Sequence, residues 1–485
     1  MEAAGVGMLF AVAALIVATG LPAWSMLIAV ALLFSGIGLA AGAFDWALLT
    51  AMPARVLGLL EQDLLQALPL YVLMGSLLNH LPLARTLFRV GNRALAGTGA
   101  GAPLAGLGLG VLLAPMNGSV GASVAMLART VAPRLQAQGV PPARGAAIVC
   151  VASTLGVVIP PSLVLILLGD AMMRAHTEAV NLTHESVRII NTQDVFLGAL
   201  VPALLVLLLC ALVAWRANRA DGAANAAASA PTTGEWWTAV VTTLFIAGLL
   251  GSVTLGYLYA VEAAAAGVVA LFLFGLGTRS LTRARLREVL RDTMTITGAL
   301  MALLVGATMF TLVVRAFGTD RWAATGLAQL NAGESGSLFL VLGIVALCAL
   351  VLDAFEMIFV VIPILMPPLL TIVHDATWVA VLTLLILQTS FLTPPVGYAI
   401  LLVRHGARPA LPIGPLARSL APYVLVQLVV LAAVLAQPAL VWQRNPTRLG
   451  PATPADTLSD EESRQMLERQ LAPPPDEDAG KGDKE

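Results

Sequence analysis

Charge is scarce in this sequence. Of 485 residues only 11% are Asp, Glu, Lys or Arg, while 58% are hydrophobic. Soluble globular chains carry roughly 25% charged residues, which excludes a large cytosolic enzyme. Basic and acidic residues balance at 27 and 28, leaving no cationic surplus for a nucleic-acid face. Lysine occurs only at Lys481 and Lys484, so the basic residues are almost all arginine. The three cysteines, Cys150, Cys210 and Cys348, are scattered through apolar runs and read as small buried hydrophobes, not as a disulfide framework or metal cluster. The five histidines (His80, His176, His184, His374 and His405) stand at the ends of apolar runs or between them. None is placed at mid-span beside a nucleophile, and no HExxH zinc motif occurs, so an intramembrane hydrolase lacks its parts.

Long apolar runs take the place of charge, and the mean hydropathy is +0.88. Runs of spanning length recur from residue 5 to residue 442, which identifies an all-α polytopic membrane protein. Ten candidate full spans cover 5–21, 24–41, 64–82, 145–173, 195–215, 237–254, 257–276, 294–317, 378–403 and 421–442. The N-terminal run has Glu2 where a secretory signal carries basic residues, so it is expected to remain as the first helix.

Two further apolar segments, 98–128 and 336–371, have polar centres: Asn117-Gly118-Ser119 in one, Asp353 and Glu356 in the other. Each is expected to fold as two half-length helices meeting at a polar turn. Arg85, Arg89 and Arg93 precede the first segment, and Arg129, Arg134 and Arg144 follow it. Short basic loops stay cytoplasmic, so this segment is expected to enter the membrane and return. The second segment has sparse flanking charge and reads as a hairpin entered from the other face. With the basic loops inside, ten crossings place both termini outside.

The chain falls into two halves with one order of parts. Residues 1–216 hold a hairpin (98–128) and a broken helix (145–173), and residues 236–442 hold a hairpin (336–371) and a broken helix (378–403). An Ala/Ser/Gly-rich linker is expected over 217–235, and a polar acidic tail, expected to be disordered, over 443–485. Asn117 lies 43 positions before Pro160, and Asp353 lies 41 before Pro394. Hairpins entering from opposite faces make the repeats inverted, an arrangement that puts a substrate site at mid-membrane. Pro160-Pro161 and Pro394-Pro395 remove backbone donors inside their helices. The freed carbonyls, beside Ser and Thr hydroxyls, are suitable ligands for Na+, and half-helix N-termini suit a carboxylate.

The candidate ion- and substrate-binding residues follow from this pattern. They are Asn117, Gly118, Ser119 and Ser123 at the first tip and Ser153, Thr154, Pro160, Pro161 and Ser162 at the first break. Asp353 and Glu356 mark the second tip, and Gln388, Thr389, Ser390, Thr393, Pro394, Pro395 and Gly397 the second break. Ser119, Ser153, Asp353, Thr389 and Thr393 are the Na+ candidates. Asn and Ser also favour plain capped turns, and Ser and Thr also bond back to their own helices. A carboxylate within an apolar segment is costly and marks a functional position. Asp353 and Glu356 either face an ion, proton or ligand, or pair with an arginine such as Arg315. Asp170, Arg174 and Arg315 stand near helix ends, where an interfacial position is expected.

The runs Gly156-Val157-Val158-Ile159-Pro160-Pro161-Ser162 and Phe391-Leu392-Thr393-Pro394-Pro395-Val396-Gly397 resemble the paired signatures of the large membrane subunit of tripartite ATP-independent periplasmic (TRAP) transporters. Residues 350–369, 387–404 and 191–206 are most similar to the branch labelled mannitol/chloroaromatic-compound type. The resemblance covers about residues 5–442, and Asn117-Gly118-Ser119 stands where a Gly-Ser-Ser-like turn is frequent in the family. It implies a scaffold and a moving transport domain working by an elevator motion in a bacterial inner membrane. It further implies Na+ as coupling ion with no other cofactor, a separate small four-helix membrane subunit, and a periplasmic substrate-binding protein. The function so implied is uptake of a small organic acid or related polar solute. The alternative is a self-sufficient Na+-coupled anion or dicarboxylate symporter of the same superfold that needs no binding protein.

Overall fold

The computed structural model describes residues 4–61, 63–117, 119–183, 188–219, 230–329, 333–394, 397–406 and 411–442. Gly118, Pro395, the middle of the expected linker (220–229) and the acidic tail (443–485) lie outside the described residues. Among the described residues the chain is helical throughout, without strands.

The chain opens with α1 (Ala4–Thr19) and α2 (Ala23–Ala40), then the short α3 (Trp46–Thr50) and α4 (Met52–Leu60), α5 (Asp63–His80) and α6 (Leu83–Ala94). The first polar-centred segment forms α7 (Gly101–Leu113), a tight turn over Ala114–Asn117, and α8 (Val120–Thr130), followed by α9 (Ala132–Ala137). Next come the two parts of the first broken helix, α10 (Pro142–Val158) and α11 (Leu163–Thr183), and then α12 (Thr192–Asn218). The second half runs through α13 (Thr233–Thr254), α14 (Ala260–Gly277), α15 (Arg283–Ala316) and α16 (Thr319–Gln329). Its polar-centred segment is α17 (Gly333–Cys348), a single-turn α18 (Ala354–Glu356), a π-helical turn over Met357–Val361, and α19 (Ile362–Leu370). The second broken helix is α20 (Ala376–Leu392) with α21 (Tyr398–Gly406), and α22 (Ile413–Ala436) closes the order of long helices.

Seven helical stretches are long and apolar enough to cross a membrane, or eight if the bent pair 46–60 and 65–80 forms one span. Seven of the ten expected spans pass on their own. The runs at 5–21 and 378–403 yield shorter helices, and the run at 64–82 passes only with its bent partner. The expected linker is shorter than 217–235: Ala217 and Asn218 finish α12, and Thr233 opens α13. A capping box explains the early start, because Thr232 accepts from the Glu235 N–H while Glu235 accepts from the Thr232 N–H.

Burial sorts the helices into an inner and an outer set. Every residue of α20 is buried, and 94% of the apolar window in α10–α11 is buried, against 28% for the windows of α13, α14 and α22. The broken helices are therefore the centre of the molecule. Trp237, Leu244, Phe272, Leu273 and Leu425 stand exposed on the outer helices, apolar surface on a scale that calls for lipid. α15 is 34 residues long, carries Arg283, Arg285, Arg287, Glu288, Arg291 and Asp292 in its first ten positions, and packs along α2 and α5. α6 has Leu83, Leu87, Phe88 and Val90 on its buried side with Arg85 and Arg93 exposed, the two-faced pattern of a helix lying at an interface.

Candidate functional site

Glycines bring the first tip against the first broken helix. A Cβ on Gly75 would stand 2.7 Å from the Asn117 Cα, and one on Gly110 would overlap Ala152 of α10. A Cβ on Gly156 would overlap the Ala114 side chain. Backbones approach this closely only where no side chain intervenes. Ser119 caps α8, its Oγ accepting from the Ala122 N–H at 3.1 Å. Buried Asn117 donates through Nδ2 to the Ser123 Oγ at 3.2 Å, and its Oδ1 is buried without a partner.

At the break, Pro160 and Pro161 lack the N–H groups that would bond the carbonyls of Gly156 and Val157. The Ser162 hydroxyl donates to the Val157 carbonyl at 2.8 Å and accepts from the Leu165 N–H at 3.1 Å, which starts α11. The Gly156 carbonyl keeps no i+4 donor. Between tip and break lies a cavity of about 10 Å³ lined by Ser119, Ser123, Ser153, Gly156 and Ser162, about the space of one water or small ion. The Ser153 hydroxyl donates to the Cys150 carbonyl at 2.8 Å, which leaves its oxygen lone pairs free for a cation. Four of the first-half candidates thus line one cavity, Ser119, Ser123, Ser153 and Ser162, and Asn117 reaches it through its bond to Ser123. Thr154 does not line the cavity and bonds the Val151 carbonyl.

The second half repeats the device with different chemistry. Pro394 and Pro395 remove the i+4 donors of the Ser390 and Phe391 carbonyls; the Thr393 N–H bonds Ser390 at 3.2 Å, and the Gly397 N–H bonds the Thr393 carbonyl at 2.9 Å. A Cβ at Gly397 would lie 2.6 Å from the Phe391 carbonyl oxygen, so glycine is required there. Thr393 and Thr389 donate to the Thr389 and Leu385 carbonyls at 2.8 and 2.7 Å. Ser390 and Gln388 are buried, and both polar atoms of the Gln388 amide are without a partner.

Asp353 and Glu356 form a capping box at the second tip: the Asp353 carboxylate accepts from Ala354 N–H at 2.7 Å, and Glu356 from Asp353 N–H at 3.1 Å. Arg315 does not pair with either. It donates to Glu178 of α11 at 2.9 Å and to the Pro363 carbonyl at 3.2 Å. Asparagine caps a helix about as well as aspartate, whereas alanine costs ~1 kcal/mol. Asp353→Asn should therefore melt like the parent and Asp353→Ala earlier. A loss of uptake in Asp353→Asn then reads the charge alone; unchanged uptake would assign Asp353 to the turn.

Two features were not anticipated from the sequence. Tyr398, the first residue of α21, packs its ring against Phe391 at the end of α20, with centroids 6.2 Å apart. A Cβ on Gly121 of α8 would lie 3.4 Å from its hydroxyl, so this phenol ties the second break to the first tip. Asp170, Arg174 and Arg315, expected at interfaces, instead line a cavity of about 380 Å³ between α4, α11, α15 and the second hairpin.

Comparison with known proteins agrees with this architecture. Residues 10–440 match the family described as tripartite ATP-independent periplasmic transporter, DctM component. The C4-dicarboxylate TRAP transporter large permease protein DctM of Rhodobacter capsulatus is 24% identical over 348 residues, 70% of this chain and 77% of that protein. The protein of the same description from Pseudomonas aeruginosa is 25% identical over 389 residues, 78% of this chain and 86% of that one. Among solved structures, the Alcanivorax borkumensis YdaH transporter matches with a TM-score of 0.54 at 18% identity, covering 82% of this chain and 90% of that one; this likeness concerns the fold alone. The chain belongs to the family of TRAP transporter large permease subunits, and it is a multi-pass transporter component, not an enzyme.

Proposed function

We propose that this permease takes up a small organic acid across a bacterial inner membrane, driven by Na+. A periplasmic binding protein delivers the solute, and a separate small membrane subunit completes the complex. The serine-lined cavity of about 10 Å³ at the first tip carries the Na+ reading. It offers serine hydroxyl oxygens in a wall that Gly156 completes, and Na+ takes oxygen ligands. The matching order of hairpin and broken helix in the two halves supports inverted repeats, whose buried broken helices move as one body past the outer helices. Both relatives named above carry C4-dicarboxylate in their descriptions, which supports an organic acid as cargo.

The test is uptake of radiolabelled solute into proteoliposomes, the solute having been chosen by thermal-shift screening of the binding protein. Uptake is expected only with all three proteins and inward Na+. Undiminished uptake in choline would remove the coupling ion, and uptake by this chain alone would remove the partners.

A further inference from the structure

The cavity of about 380 Å³ carries chemistry that the hairpin tips do not use. Asp170, Arg174 and Glu178 recur every four residues on α11 and so share one face. Thr308, Thr311 and Arg315, spaced by three and then four residues, share a face of α15, and Arg55 enters from α4. Three guanidiniums thus meet two carboxylates. Arg174 is paired with Asp170 at 2.9 Å and Arg315 with Glu178 at 2.9 Å, while Arg55 has no ion pair among the described residues. Glu178 and Arg315 are 32% and 34% exposed, so neither pair is sealed. The second hairpin closes the cavity with Ile358, Phe359, Pro363 and Pro367. Its volume falls in the range of small-molecule sites, roughly 300–1,000 Å³.

We infer that this cavity is a subsite for a small organic carboxylate, separate from the serine cavity. Arg55 supplies the uncommitted charge, and Glu178 and Asp170 are resident anions that an incoming carboxylate displaces from Arg315 and Arg174. A guanidinium holds a carboxylate through two parallel N–H donors, so the exchange replaces one ion pair by another of the same geometry. Thr308 and Thr311 donate to the Leu304 and Ala307 carbonyls at 2.8 Å. Their hydroxyl protons are thus committed, and anion recognition falls to the arginines. The inference rests on the transport reading only for its cargo.

The test is therefore independent of transport. The full chain carrying Cys348→Ser and Thr308→Cys is labelled with an anionic methanethiosulfonate and with its cationic counterpart. Cys150 and Cys210 are buried and give little background. At low salt the anionic reagent is expected to react about tenfold faster than the cationic one. Arg55→Gln should bring the two rates together, Arg55→Lys should keep them apart, and succinate should slow labelling. Equal rates in the parent, or a preference that survives Arg55→Gln without protection by succinate, would overturn the subsite. Uptake by the three-protein complex is measured in parallel. An intact thiol preference without Na+-dependent uptake would sink the transport reading and leave the subsite standing.

Discussion

Replacing Gln388 by leucine is expected to raise the stability of the permease while removing Na+-driven uptake. Gln388 is fully buried in α20 one turn before the second break, and neither of its amide atoms has a partner. An unpaired buried polar group costs ~1–3 kcal/mol, and an apolar replacement of similar shape relieves that cost. On the proposed function, the ligand that would satisfy this amide is the coupling ion or the solute. The two readouts should move in opposite directions, with a higher melting temperature and a loss of about tenfold or more in apparent Na+ affinity. A lower melting temperature with unchanged Na+ dependence would make Gln388 a structural residue.

Gly156→Leu is expected to have the opposite pattern, losing stability and uptake together. The first Cβ atom at this position already overlaps Ala114 and stands 2.6 Å from its carbonyl carbon and 2.9 Å from the Pro115 nitrogen. Backbone atoms at a turn do not rotate away as a side-chain end would. Overpacking of this kind costs about 1–3 kcal/mol and more when the obstruction is rigid. The tip would be pushed off α10, and the serine cavity would open with it. Gly108 of α7 is the control, since a Cβ there meets nothing within 4 Å. Gly108→Ala should keep the parent melting temperature and uptake. Equal losses in both variants would mean that glycine itself, and not the close approach at residue 156, matters in this region.

Much of this was legible because membrane chains write their architecture in local signals. Apolar runs and paired prolines located seven of the ten expected spans, both polar turns and both breaks, and four first-half candidates line one cavity. The capping role of Asp353 went unread, although Asp353-Ala354-Phe355-Glu356 has the spacing of an acidic N-cap followed three residues later by Glu. The contacts that no local pattern encodes were harder. Glu178 and Arg315 are 137 positions apart, so only the fold reveals their pairing. Tyr398 is an ordinary aromatic in sequence, and its place against the first tip depends on α8 meeting α21. The cavity lined by Asp170 and Arg174 was read as interface because helix ends usually lie there.

The length of α15 has a consequence for the membrane itself. Its uncharged part, Thr293 to Val314 with Arg315 beyond it, rises about 33 Å at ~1.5 Å per residue, slightly more than a hydrocarbon core of roughly 30 Å. A helix longer than its bilayer leans, and the lean grows as lipid tails shorten. Arg315 stands at the far end of that lever, holding α11 and the second hairpin through Glu178 and Pro363. Lipid of shorter tails is therefore expected to load that end of α15, and with it the arginine cavity that Arg315 and α11 share.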